Sequence, residues 1–199
     1  KIKEHGAAEG ERVLARLALH PATARHLATK LARHFVADEP PAALVDTLAA
    51  TYMRNDGELV PVYRALIAAD ASWREPFSKY KTPQDFVLST FRALNFVPER
   101  PETLIAFLTE AGQRPFTPGS PAGWPDTAAA WDGGDALLKR VEWAGAVGRR
   151  IGDRRNALEL ARAVLPASAD ERTLSGIRTA ESGGQALALL IAAPEFQRR

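Results

Sequence analysis

The chain has 199 residues, with 26 Lys and Arg against 24 Asp and Glu, a net charge of +2, 46% hydrophobic residues and no Cys. That length suits one domain or two small ones, and the composition excludes disorder and collagen-like repeats. Without Cys there are no disulfides, iron–sulfur clusters, thiolate zinc sites or Cys nucleophiles, and so small a net charge gives no global field to attract nucleic acid.

The chain opens Lys1-Ile2-Lys3-Glu4-His5-Gly6, without an initiator Met, an apolar signal region or a cleavage site, and so reads as a processed chain or a fragment. Nearly every periodic segment that follows has the helical spacing of apolar residues, and no clear period-2 strand stands out. The fold expected is all-α, a single compact domain of about ten helices. No apolar run approaches the roughly 20 residues of a membrane span.

The first helix is predicted over about Ala7 to Leu19, with Val13, Leu14 and Leu17 inward. His20-Pro21 breaks it, and a second runs about Pro21 to Val36 with a stripe of Ala24, Leu27, Ala28, Leu31 and Phe35. Pro40-Pro41 opens a third, with Leu44, Val45, Leu48 and Tyr52 inward, and Asn55-Asp56-Gly57 stops it. A fourth, about Glu58 to Ala69, is expected to bury Leu59, Tyr63, Leu66 and Ile67. Thr82-Pro83-Gln84-Asp85 is a strong helix start, with a capping hydroxyl, Pro in the first turn and an acid near the positive end. Pro101 to Ala111 follows, with Leu104, Ile105, Phe107 and Leu108 inward and Gly112 as its stop.

From Gly112 to Asp126 the sequence is GQRPFTPGSPAGWPD, with four Pro and three Gly in fifteen residues, which no regular helix accommodates. Helix is expected again over about Thr127 to Trp131, Asp135 to Val147 and Arg154 to Leu165. Ser168-Ala169-Asp170-Glu171 reads as a capping box opening a short helix, and Ser182-Gly183-Gly184 leads into a last one ending near Ala193-Pro194.

A loop this long in a compact domain is usually functional or disordered, and Phe116, Trp124 and Trp131 are apolar anchors that disorder would waste. Two readings stand. One is a lid or pocket wall, with Gln113, Arg114 and Asp126 as polar contacts and Trp124 as a stacking surface. The other is a packed connector pinned by two Trp, with Asp126 capping the short helix.

Other constellations are weaker. His26 and His34 are eight apart, about 12 Å along a helix, and no i, i+4 His pair occurs, so His5, His20, His26 and His34 do not form a metal set. No metal and no cofactor is expected. Arg149-Arg150-Ile151-Gly152-Asp153-Arg154-Arg155 suits phosphate binding, but lacks interleaved aromatics. The simpler reading puts the first two Arg at a helix C-terminus and lets Asp153 cap the next helix. No nucleophile elbow, P-loop or dinucleotide fingerprint is present.

Taken together, several segments carry a resemblance. They are His20-Pro21-Ala22-Thr23-Ala24-Arg25 through Phe35-Val36, Lys79-x-Lys81-x-Pro83, Phe86-Val87 with Arg92-Ala93-Leu94, Gly112-Gln113-x-Pro115-Phe116, Gly123-Trp124-Pro125-Asp126 with Trp131, Leu137-Leu138-x-Arg140, and Ala193-Pro194-Glu195-Phe196-Gln197. In this order they are similar to the C-terminal half of the bacterial family catalogued as domain of unknown function 1800. Members are usually longer, so the resemblance implies a piece lacking an N-terminal half. It also implies an exported or periplasmic protein, often encoded beside a sulfatase-like family, and no established activity. By the same resemblance Lys81, Arg92, Gln113, Trp124, Asp126, Trp131 and Arg140 are the candidate ligand-binding residues. An Arg from one helix, paired with Asp126, would fix the loop through a two-bond contact.

The functional expectation is a binding or scaffold module acting through the Gly112–Trp131 segment, with the missing N-terminal half or a sulfatase-like neighbour as partner. The alternative is the accessory half of a hydrolase acting on an extracellular polymer, with Trp124 stacking on a sugar-like ring and Asp126 in acid–base work.

Overall fold

The computed structural model describes residues 6–96, 98, 100–166 and 169–199. Among them the chain is all-α, with ten α-helices, no strand and one isolated antiparallel bridge between Tyr80 and Arg198. No described helix is long and apolar enough to cross a membrane. The chain divides into two compact units, Lys1–Ser78 and Lys79–Arg199.

The first unit holds α1 (Ala7–Ala18), α2 (Pro21–Phe35), α3 (Ala42–Arg54) and α4 (Leu59–Ala68). Ala24, Ala28 and Ala32 are the buried residues of α2, and these small side chains face Leu44, Val45, Leu48 and Tyr52 of α3 and Val62 and Leu66 of α4. The His20 side chain caps α2, its Nδ1 accepting from Ala22 N at 3.1 Å. Two predicted faces are corrected. Helix α1 buries nothing, and Val13, Leu14 and Leu17 are exposed. On α4 the buried pair is Val62 and Leu66, whereas Leu59, Tyr63 and Ile67 lie open. Amphipathic spacing shows which face is apolar, not whether anything covers it.

The second unit holds α5 (Pro83–Leu94), α6 (Pro101–Glu110), α7 (Gly134–Ile151), α8 (Ala157–Val164), α9 (Glu171–Arg178) and α10 (Gly183–Ala192). Its core centres on Phe86, whose ring meets Trp143 at 5.3 Å, Phe196 at 6.3 Å and Phe107 at 6.4 Å. Helices α7 and α10 pack backbone to backbone at a pair of glycines. A Cβ on Gly148 would stand 2.2 Å from the Gly184 carbonyl oxygen, so only Gly fits. Ile105 of α6, expected inward, is exposed.

Termini follow local chemistry. Thr82 and Asp85 form a reciprocal capping box on α5. Helix α6 ends in a Schellman arrangement, with Gly112 at φ 82°, Gly112 N donating to Thr109 O and Gln113 N to Leu108 O. Asp153 does not cap the next helix. Asn156 caps α8, and Asp153 Oδ1 accepts from Gly183 N at the start of α10. The expected Ser168 cap lies outside the described residues, and Asp170 caps α9. The short helix expected before Trp131 is a single 3₁₀ turn, Ala128–Ala130.

Candidate functional site

The segment before α5 and the C-terminal tail pair with one another. Lys81 N donates to Gln197 O at 2.8 Å, and Arg199 N donates to Lys79 O at 2.8 Å. Into this junction α7 inserts Arg140, which is 1% exposed and the largest fully buried side chain of the second unit. One arm of its guanidinium donates to Gln197 Oε1 at 2.8 Å and the other to the Lys81 carbonyl at 2.7 Å. Its central carbon lies over the rings of Tyr80, at 4.6 Å, and Phe86, at 5.1 Å. Gln197 completes its own bonding by donating Nε2 to Ile191 O.

Lys81 is buried beside it. Its ammonium donates to Phe196 O at 2.6 Å and sits 4.0 Å from the centre of the Phe196 ring. Burial pulls its pKa down to about 8; Asp85 pulls it back up in part, and Arg140 adds to the lowering. Arg140 is likewise lowered by burial, with Tyr80, Asp85 and Asp132 opposing. Among the described residues neither cation has a carboxylate at ion-pair distance. Main-chain and amide oxygens satisfy them instead.

Asp126 stands at the edge of the junction. Lys79 Nζ donates to its carbonyl at 2.7 Å and lies 3.6 Å from Oδ1, and the Arg199 guanidinium reaches the same oxygen at 3.6 Å. Lys79 and Arg199 therefore both reach this acid, where an Arg on a helix is expected. The cap position of the 3₁₀ turn belongs to Thr127, whose side chain makes no capping bond. Arg199 Nε also lies 3.3 Å from Asp85 Oδ2. Gln113 is buried and accepts from Gln84 N at 2.7 Å, which satisfies a first-turn amide of α5.

The two indoles form a separate feature. Trp131 is buried and donates Nε1 to Pro125 O at 3.0 Å, and the half-buried Trp124 meets it at 6.4 Å between ring centres. They line a groove of about 390 Å³ whose charged wall is Glu110, Asp135 and Lys139. Lys139 donates to Asp135 at 2.7 Å, and that bond raises its pKa. Asp126 is not among the residues lining this groove. Arg92 is exposed on α5, and among the described residues no side-chain hydrogen bond or ion pair brings it to the others. Phe116, expected as an anchor, is 99% exposed at a positive φ of 60°, so the loop is held instead by Gln113, its indoles and Asp126.

Four contributors are absent from the candidates that the sequence offers: Lys79, Asp85, Gln197 and Arg199. A signal for the first existed. Lys79-x-Lys81 has the alternation that turns both side chains to one side of an extended segment. Elsewhere, no described group of three or more His, Asp or Glu is arranged to hold a metal, and His5 lies outside the described residues. In the Arg-rich stretch, Arg155 donates Nε to Leu94 O.

A family model described as a protein of unknown function, DUF1800, matches residues 1–198. No curated protein and no solved structure matches the chain.

Proposed function

Since the chain belongs to the DUF1800 family, whose description assigns no activity, we propose from its own geometry that it is a binding or scaffold module of an exported protein. It holds an apolar partner surface rather than transforming a substrate. One observation carries the reading. In the first unit an apolar groove of about 650 Å³ runs between α2, α4 and the turn after it, lined by Leu31, Phe35, Tyr63, Leu66, Ile67 and Trp73. Ile67 is 65% exposed and Trp73 67%, although Trp73 is fixed in place by donating Nε1 to Ile67 O at 2.8 Å. Contiguous apolar surface of this kind marks interaction sites, and its chemistry fits the apolar face of an amphipathic helix. Another part of the same protein and a sulfatase-like neighbour are the partners to examine first.

The Gly112–Trp131 segment supports binding as well, through the indole-lined groove. A role beside a polymer hydrolase draws on that groove, where Glu110 and Asp135 stand beside Trp124. Asp126, engaged with Lys79 and Arg199, does not contribute to it.

The test is purification of the full-length protein from its host as wild type, Ile67→Asp and Trp73→Asp. A stoichiometric partner retained by wild type and lost by both variants is expected. A partner retained equally by all three, or wild-type protein that is monomeric with no partner, refutes the proposal.

A further inference from the structure

A cavity of about 480 Å³ opens in the second unit between α5, α6 and α7. Its volume falls in the range of small-molecule sites. The apolar lining is Phe91, Phe96, Leu104, Trp143 and Val147. Trp143 is firmly seated, stacked on Phe107 at 4.9 Å and edge-on to Phe91 at 5.9 Å, so the floor is preformed.

Among the described residues the charged lining is of one sign. Arg100 and Arg150 both line the cavity, and no described carboxylate does. Neither Arg forms an ion pair with a described residue. Arg100 is the N-cap of α6 and gives it no side-chain cap, so the amides of the first turn lack that partner. The Thr103 hydroxyl, in the same turn, lines the cavity too. Two guanidinium groups, a hydroxyl and the positive end of a ten-residue helix therefore border an aromatic pocket. Arg150 belongs to the Arg-rich stretch and lies in the last turn of α7.

We propose that this cavity binds an anionic amphiphile, a carboxylate with an aliphatic tail. The carboxylate is taken by Arg100 and Arg150 at the mouth, and the tail lies against Phe91, Phe96 and Trp143. A planar carboxylate accepts two parallel bonds from one guanidinium fork and a further charge-assisted bond from the second, which a neutral headgroup cannot match. The apolar groove of the first unit has no comparable cations in its lining, so the two surfaces select different ligands.

Calorimetric titration of the intact chain with decanoate, below its micelle concentration, tests this, with decanol as the neutral probe. Decanoate is expected to bind at one site and decanol at least tenfold more weakly. Arg100→Ala and Arg150→Ala are each expected to weaken decanoate about tenfold, the size of one charge-assisted hydrogen bond. Both side chains are exposed at the rim, so the fold is retained, which circular dichroism verifies. Ile67→Asp, in the other groove, is expected to leave decanoate binding unchanged. Absence of binding, equal affinity for decanol, unaltered affinity in both Arg variants, or loss of binding in Ile67→Asp overturns the proposal.

Discussion

Replacing Arg140 by Ala tests whether the junction of Lys79–Lys81 with the C-terminal tail holds the second unit together. The substitution strips the donors from two buried acceptors, the Lys81 carbonyl and Gln197 Oε1. An unsatisfied buried acceptor costs about 1–3 kcal/mol, so the pair contributes about 2–6 kcal/mol. Lost contact with the Tyr80 and Phe86 rings adds about 1 kcal/mol. Against this, a guanidinium no longer has to be taken out of water, which returns part of the loss. The expected net destabilisation is about 3–4 kcal/mol, a large fraction of a domain's usual 5–15 kcal/mol. Urea unfolding in a Trp73→Phe background reads it, because the three Trp that remain all lie in the second unit. Arg140→Lys keeps the charge but loses the fork, and falls between the two, at about 2 kcal/mol. A double-mutant cycle with Gln197→Ala is expected to give a coupling above about 1 kcal/mol. A loss below about 0.5 kcal/mol in Arg140→Ala, or zero coupling, refutes the reasoning.

Lys81 gives a pH signature. Its folded pKa of about 8 lies below the ordinary 10.5, so between these values the unfolded chain holds a proton that the folded chain does not. Stability attributable to Lys81 therefore rises with pH across that window, by roughly 3 kcal/mol in full, and Lys81→Met removes the rise; parallel pH profiles of wild type and variant refute it. Gly148→Ala forces a Cβ against the Gly184 carbonyl and is expected to cost more than about 3 kcal/mol in denaturant unfolding. Gly145→Ala, whose Cβ meets only the movable end of Arg149, is expected to stabilise by up to about 1 kcal/mol, and similar losses at both glycines refute the packing argument. Trp131→Ala releases Pro125 and Trp124, and chymotryptic cleavage at the exposed Phe116 is expected to accelerate about tenfold, the effect of about 1.4 kcal/mol on local opening. Equal cleavage rates refute the role of the indoles in ordering the segment.

Features written in consecutive residues were legible from the sequence. The start of α5 needs only Thr82, Pro83 and Asp85, and the structure forms the capping box those residues specify. The end of α6 at Gly112 is equally local. What escaped depends on distant partners. The apolar stripe of α1 is visible as a pattern, but whether Leu14 is covered depends on what lies next to it, and nothing in residues 7–18 encodes that. Ile67 misled for the same reason. Arg140 was picked out only through resemblance, and its partners stand 57 and 59 residues away, at Gln197 and Lys81. Asp126 was expected to meet a helical Arg, because the tail that carries Arg199 gives no sequence sign of folding back.

The arrangement around Lys81 and Arg140 separates two uses of a buried charge. A catalytic cation has to present a donor or lone pair to an incoming group. Here one arm of Arg140 is given to Gln197 and the other to a main-chain oxygen, with an aromatic ring beside the guanidinium on Tyr80 and Phe86. The Lys81 ammonium is given to Phe196 O and lies against the ring of the same residue. Main-chain carbonyls cannot take up a proton at ordinary pH, so these bonds position the tail without creating an acid–base pair. The same logic explains why the cations tolerate burial without a described carboxylate at ion-pair distance. Oxygen dipoles and ring faces replace part of the lost hydration, and the remaining penalty appears as the lowered pKa of Lys81. With these side chains engaged in this way, the binding proposed for the second unit rests instead on the indole groove and the arginine-rimmed cavity, which stay open.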